Sequence, residues 1–370
     1  MQKFLYITDQ NENTDHSFIG PLFEKYLNDH FETHIIYFSK SKENFENINN
    51  NKFIVPIKSR NNVLDELTKN NLNINDYEYI VVRNDIDILK EVLSKKTKDS
   101  FKVGFRLSFP KRIAKLQIDE ANNKKSFLDV INNKIQTYKE TTLINECDIF
   151  LPTSRQMRDD YLKSVKTRTF IIPSAIDPDV MHHNLHHEGN EKRFFYAGTL
   201  DKLREFETVL KAFSDIHSDK FKLMISTKDP EFALEMFEKY PNLKDSIEVY
   251  DAKTKQELLQ LIAKADIGLA PLPNIELFNS STPMKILDYY SSAIPCVMTN
   301  NENNASIFTD DKSGWLCDFT HDSIKNKLEY IINLSKEEVT EVGESGQKRL
   351  LDVRNYKRIA ADLAHQLNIL

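Results

Sequence analysis

The chain has 370 residues, 40% of them hydrophobic and 29% charged, a globular balance that excludes wholesale disorder and suits two domains. Its net charge of −6 gives no overall pull toward nucleic acid. Three cysteines (Cys147, Cys296, Cys317) cannot build a disulfide framework and lack the paired spacing of a zinc site, and no apolar run approaches the roughly 18–20 residues of a membrane span. The opening Met1–Asp9 lacks the apolar core and cleavage site of a signal peptide, so a cytoplasmic location is expected. Only 8 glycines are present, so whatever the chain binds is expected to be held with few glycine-built loops.

Strands and helices alternate along the sequence. Lys3–Thr8 reads as a strand, Phe18–Leu27 as a helix with an apolar stripe, then His34–Phe38, Tyr79–Val82, Lys102–Leu107, Asp148–Pro152 and Thr169–Pro173 as strands. After a polar, histidine-rich stretch at Asp177–Lys192 the pattern restarts: strands at Arg193–Ala197, Lys222–Ser226, Ser246–Tyr250, Asp266–Ala270, Pro295–Thr299 and Gly314–Cys317, with helices between. Three further helices, roughly His321–Leu334, Lys336–Leu351 and Lys357–Leu367, close the chain. Continuous apolar strands separated by helices predict parallel sheets covered on both faces. The fold class read here is α/β, two Rossmann-like doubly wound domains over 1–178 and 190–350, joined by the linker. Ligands of such sheets bind at the carboxyl edge of the strands, so a small molecule held between the two domains is expected.

The most informative stretch runs from Ala265-Asp-Ile-Gly-Leu-Ala-Pro-Leu-Pro to Phe278-Asn-Ser-Ser-Thr-Pro-Met-Lys-Ile-Leu-Asp-Tyr-Tyr and on to Pro295-Cys-Val. Thr282 suits an N-cap and Pro283 the first helical position. The amides of Met284 and Lys285 would then meet an anion at the positive helix end, with Lys285 adding a full charge and Asp288 one turn further in. The alternative is an ordinary capped strand–helix unit with a solvated aspartate.

This segment resembles the donor-binding core of GT-B glycosyltransferases, above all the large retaining family GT4. That family carries Pro-x-Lys-x-x-Glu-Tyr followed by Pro-Val-Val, which Pro283, Lys285, Asp288, Tyr289 and Pro295-Cys-Val approach. Phe195-Tyr-Ala-Gly-Thr-Leu with Arg204 resembles the family's Gly-Arg-Leu loop and its following cation. Ile171-Ile-Pro-Ser-Ala-Ile-Asp-Pro-Asp and Asp148-Ile-Phe-Leu-Pro-Thr-Ser resemble the segments that close its first domain. The resemblance covers residues 147–320 and implies sugar transfer from a nucleotide sugar, with retention and without metal or other cofactor. By resemblance, Arg204 and Lys285 are the catalytic candidates, stabilising the leaving diphosphate. Donor contacts are carried onto Gly198, Thr199, Arg204, Tyr250, Ser281, Thr282, Pro283, Met284, Lys285 and Asp288. Three departures stand out: Ser280 occupies the place of the family's first glutamate, with Glu276 nearby in the loop; Thr199 replaces an arginine; and Ile225-Ser-Thr-Lys-Asp-Pro replaces a glycine-rich loop.

In the first domain the loop Asp9–Ser17 with His16 and Gly20, and the strand ends Arg83-Asn-Asp85 and Arg106, are acceptor candidates or solvated loop residues. Asp85-Ile-Asp87 and the histidines of His182–His187 are formal metal patterns, but neither context favours a metal and none is assigned. The stretch 101–140 holds nine basic and four acidic residues, a net +5 that faces an anionic membrane or solvent. No Walker A, Gly-x-Gly-x-x-Gly or His-Glu-x-x-His motif is present. The sequence therefore predicts a glycosyltransferase acting on a saccharide, lipid-linked or protein-linked glycan acceptor, with the last helix, about 352–370, packing back on the first domain. An Asn-, Lys- and Ile-rich composition suggests a bacterial source and surface-polysaccharide synthesis. An inactive GT-B-like partner protein and a nucleotide-sugar epimerase of the same fold remain alternatives at this point.

Overall fold

Thirteen strands are formed among the residues described in the computed structural model, which are 1–11, 19–181, 189 and 191–370. The linker histidines His182–His187 and the loop residue His16 lie outside them. The chain divides into two units: one comprises Met1–Leu116, Lys125–Pro173 and Tyr356–Leu370, the other Gln117–Lys124 and Ser174–Asn355.

The first unit is built on β1 (Lys3–Asn11), β2 (Glu32–Ser39), β3 (Glu46–Asn47), β4 (Lys52–Pro56), β5 (Tyr79–Arg83), β6 (Lys102–Leu107) and β7 (Ile149–Pro152), in the order β3-β4-β2-β1-β5-β6-β7. All pairs are parallel except the short edge strand β3. Strands such as Phe4–Ile7 and Ile80–Val82 are buried throughout because helices cover both faces, which is why they read as unbroken apolar runs. The C-terminal helix Tyr356–Asn368 belongs to this unit, and Tyr79 Oη donates to its Leu367 carbonyl at 3.1 Å.

Two details differ from the sequence reading. Thr169–Pro173 runs beside β7 but forms only an isolated bridge, Phe150 to Thr169: the Phe170 and Ile172 amides donate to the Phe150 and Pro152 carbonyls, but Pro152 has no amide to return a bond. Strand β4 escaped notice because its apolar core is only Phe53-Ile54-Val55 after a polar Asn-rich run. The first helix, Ile19–Tyr26, is a π-helix that buries Ile19, Leu22, Phe23 and Tyr26.

The second unit is a wholly parallel sheet of β8 (Lys192–Ala197), β9 (Phe221–Ser226), β10 (Ile247–Tyr250), β11 (Ile267–Ala270), β12 (Cys296–Thr299) and β13 (Trp315–Cys317), ordered β10-β9-β8-β11-β12-β13. The order reverses between β8 and β11, so the chain segments leaving these two neighbours diverge and open a crevice at their carboxyl ends. The helix Met284–Ser291 is held over β11 by Tyr289. Its ring lies so close to Gly268 that a Cβ there would sit 2.2 Å from Cδ2. Its hydroxyl accepts from the Ala197 amide at 3.2 Å and donates to the Leu269 carbonyl at 3.4 Å. Tyr289 is fully buried and has no room to withdraw. Replacing Gly268 with alanine is therefore expected to cost about 1–3 kcal/mol by overpacking. A fall in the urea midpoint with an unchanged slope would show it; an unchanged midpoint would mean the helix can lift away freely.

Candidate functional site

The crevice of the second unit is shaped by the loop that leaves β8. Gly198 has φ +148°, a conformation that side chains rarely adopt, and its amide bonds the Ser226 carbonyl at 3.0 Å. Tyr196 Oη donates to the Thr199 carbonyl at 2.9 Å, folding the loop back over its own strand. Asp201 then turns the chain. It accepts the Arg204 amide at 3.0 Å and Thr199 Oγ1 at 3.3 Å, and forms an ion pair with the Arg204 guanidinium. Glu205 is left-handed at φ 46° where the helix Phe206–Ser214 begins. This places Arg204, about one-third exposed, at the crevice with its guanidinium 5.7 Å from the Phe278 ring centroid.

Lys285 reaches the same place from the helix over β11. Its ammonium stands 3.8 Å above the Tyr196 ring centroid, and a Cβ on Gly198 would come within 3.1 Å of it. The residue is half-buried, but Nζ itself is shielded from solvent and has no hydrogen-bond partner among the described residues. Burial, and next the charge of Arg204, lower its pKa from 10.5 to about 7. The expected full charge is thus reduced to a group poised near neutrality. Gly198, Arg204 and Lys285, 87 positions apart in sequence at the extremes, are brought together, and the missing side chain at Gly198 leaves the Lys285 ammonium uncrowded on that side.

Other expected contacts are rearranged. Thr282 is not the N-cap. Pro283 is, at φ −57° and ψ 136°, and the helix starts at Met284. The Pro283 ring fixes the extended backbone of a cap residue by itself, so the buried Thr282 hydroxyl instead accepts from Asn303 Nδ2 at 3.0 Å. Ser281 lies beside it, half-buried. Asp288 forms an ion pair with Lys255 at the start of the helix Lys255–Ile262, so it is not the solvated carboxylate of the plain reading. Tyr250, ending β10, donates its hydroxyl to Glu248 and packs its ring on the apolar layer beneath the Lys255–Ile262 and Met284–Ser291 helices. Ser280 is buried with Oγ donating to the Leu277 carbonyl at 2.8 Å, so it terminates the short helix Glu276–Asn279 and presents no acid; Glu276 opens that helix. Sequence reading missed Tyr196, Asp201 and Lys255. The i, i+3 spacing of Asp201 and Arg204 was a usable signal; nothing local links Lys255 to Asp288.

In the first unit the acceptor candidates lie at the strand ends. Arg83 is buried in an ion pair with Asp9, which also binds Lys111. Burial pushes the Asp9 carboxyl up, but Arg83 and Lys111 outweigh it and hold it below the usual carboxylate range. Arg106 donates to the Leu151 carbonyl at 3.0 Å and contacts Tyr6, and burial lowers its pKa to about 10. Asp85 caps the helix Ile86–Lys95 through the amides of Asp87 (3.1 Å) and Ile88 (3.0 Å) and pairs with Arg60, so its carboxylate is committed to structure. Gly20 sits in the π-helix with open space around its α-carbon. No group of three metal-ligating side chains converges among the described residues.

Residues 179–349 match the family described as glycosyl transferases group 1. The chain carries a glycosyltransferase domain. Its whole length also superimposes on solved structures of low identity. Sucrose-phosphate synthase from Thermosynechococcus elongatus matches with a TM-score of 0.76 and 13% identity, covering 100% of this chain and 98% of that one. HepE from Anabaena, solved with UDP and glucose, matches at 0.67 and 11%, covering all of both chains. Apo OtsA matches at 0.71 and 11%, covering 99% of each. No curated protein matches the sequence. The fold is GT-B, with the glycosyltransferase domain spanning most of the second unit.

A buried ammonium whose pKa is about 7 when folded and 10.5 as an ordinary lysine opposes folding. Below pH 7 both states are protonated and the full penalty is present; it fades as pH rises from 7 to 10.5, where the unfolded chain alone holds the proton. Lys285→Met is expected to melt above the parent protein at pH 6, with the gap closing across that window. A gap independent of pH would show that Lys285 is not desolvated.

Proposed function

We propose that the protein transfers a sugar from a nucleoside diphosphate sugar to a saccharide acceptor, and that Gly198, Arg204 and Lys285 receive the diphosphate. The observation that carries this reading is the Lys285 ammonium, shielded from solvent and without a hydrogen-bond partner among the described residues, beside the bare α-carbon of Gly198. A desolvated cation of that kind is costly unless an anion arrives, and a diphosphate in a dry crevice supplies one. HepE, a structural relative, was solved with UDP-glucose.

The chemistry follows from the charges. The bond from the sugar's anomeric carbon to the diphosphate oxygen breaks, and negative charge grows on the leaving group. Lys285 and the guanidinium fork of Arg204 stabilise that charge, Arg204 exchanging Asp201 for phosphate oxygens. The acceptor hydroxyl forms the new bond and gives its proton to the departing phosphate, so no protein base is assigned. Asp288 holds the ribose alongside Lys255, Thr199 and the Ser281–Met284 turn line the donor, and Tyr250 flanks the base. Retention of configuration, independence of metal, and a role in bacterial surface polysaccharide assembly belong to this proposal. They are supported by the sequence resemblance to the retaining family and by the Asn-, Lys- and Ile-rich composition. Acceptor binding falls to the first unit by the sequence resemblance, at the surface shaped by the strand-end groups Arg83, Asp9, Lys111 and Arg106.

A thermal-shift panel of UDP-, GDP-, ADP-, TDP- and CMP-sugars tests the donor. A true ligand at about 100 times its dissociation constant adds about 2.7 kcal/mol of stability. Arg204→Ala should keep the fold and lower kcat about 100- to 1,000-fold; unchanged turnover would remove Arg204 from the mechanism. Because phosphate favours the charged lysine, calorimetry at about pH 8 in buffers of different ionisation enthalpy should detect proton uptake on binding, absent in Lys285→Met. Binding without proton exchange in the parent protein would place the diphosphate elsewhere.

A further inference from the structure

The helix Phe127–Ile144 of the first unit carries an apolar face that none of the described residues covers. Phe127 is 78% exposed, Leu128 74%, Ile131 39%, Ile135 49% and Tyr138 75%. Their spacing of i, i+4, i+8 and i+11 from Phe127, with Leu128 beside it, puts them on one stripe, while the helix buries only Thr141 and Ile144 near its end. Five large side chains left in water on one stripe are far beyond scattered surface hydrophobicity. The helix is nevertheless firmly built: Ser126 and Asp129 form a capping box, and Arg112 ties it down through Asn133 Oδ1 (2.6 Å), Thr137 Oγ1 (3.1 Å) and an ion pair with Glu140, which takes Arg112 out of the exposed basic charge.

The stripe ends at a groove of about 800 Å³ whose wall includes Tyr138, Phe109 and the cations Arg60, Lys90, Lys111 and Lys139. Phe109 is itself 47% exposed. Lys125, Lys134 and Lys139 flank the helix and are exposed. The stretch 101–140 has a net charge of +5 on a chain of −6, so the remaining residues sum to −11. The apolar stripe of this helix thus adjoins the one net basic stretch of an acidic protein, to which the helix contributes Lys134 and Lys139 and the preceding turn Lys124 and Lys125.

We propose that this face docks on an anionic lipid bilayer, with Phe127, Leu128, Ile131 and Ile135 entering the acyl boundary and the lysines meeting lipid phosphates. Charge complementarity selects this occupant. A second copy docking face to face would set the same basic stretch against itself, and like charges oppose such an isologous interface. The docking does not depend on the donor reading. It adds a place of work to the chemistry, an acceptor presented at a membrane surface.

Flotation with vesicles of phosphatidylcholine alone, or with about 30% phosphatidylglycerol, tests it. The full chain should float with the anionic vesicles only, and raised salt should release it. Lys134→Gln with Lys139→Gln should weaken partitioning about 25-fold, about fivefold for each charge. Phe127→Ser with Leu128→Ser should abolish flotation while the melting temperature and nucleotide-sugar binding stay unchanged, since both side chains are exposed. Failure of the parent protein to float, or equal flotation of the serine variant, overturns the proposal. A dimer in light scattering that the serine variant disperses would also overturn it, by giving the face to a second copy. Loss of nucleotide-sugar binding in the Arg204→Ala protein with flotation intact would separate the two readings.

Discussion

Lys285 and Gly198 impose the central constraint on the second unit. A parallel sheet packed on both faces leaves its polar chemistry to the carboxyl ends of its strands, and here the opening between β8 and β11 is where that edge is accessible. Placing an ammonium there under almost complete burial requires an aromatic face below it, a neighbour without a side chain, and a helix that cannot shift. Tyr196 provides the first, Gly198 the second, and Tyr289 wedged against Gly268 the third. The three are coupled, since the Tyr289 hydroxyl grips the Ala197 amide immediately before Gly198.

The two units spend their buried charge differently. In the first, Arg83, Asp9 and Lys111 neutralise one another, Arg106 leans on Tyr6 and a strand carbonyl, and Asp85 is absorbed by a helix cap and Arg60. Such networks order the strand ends and set the shape of the surface above them. In the second, the shielded Lys285 ammonium has no hydrogen-bond partner among the described residues. On the proposed function, that contrast separates a scaffold from a seat for the diphosphate, because fixed charges that face a leaving group are what stabilise its growing negative charge.

The replacement of an acidic residue by Ser280 also takes on a physical meaning. Its hydroxyl closes the short helix Glu276–Asn279, so this corner has been rebuilt for local structure instead of carrying a second carboxylate. The Phe127–Ile144 helix shows the opposite tendency. It is secured at its start by a capping box and along its length by Arg112, yet its apolar stripe has no partner among the described residues, which is the basis of the proposed docking face.

Much of this architecture is written in local sequence. Apolar runs such as Phe4–Ile7, Ile80–Val82 and Phe194–Tyr196 announce buried parallel strands, because no face of them meets water; Phe53–Val55 is too short a run to stand out. Local order likewise placed Lys285 and Asp288 on a helix following β11 and Gly198 and Arg204 on the loop after β8. Folding alone decided how these groups meet: that Lys285 loses its water over Tyr196, that Arg204 leans on Asp201, and that Asp288 finds Lys255. The physical reason is range. Strand and helix patterns arise from neighbours within a turn or two, whereas a pKa depends on every charge and every missing water around a group, and those are supplied by segments far apart in the chain.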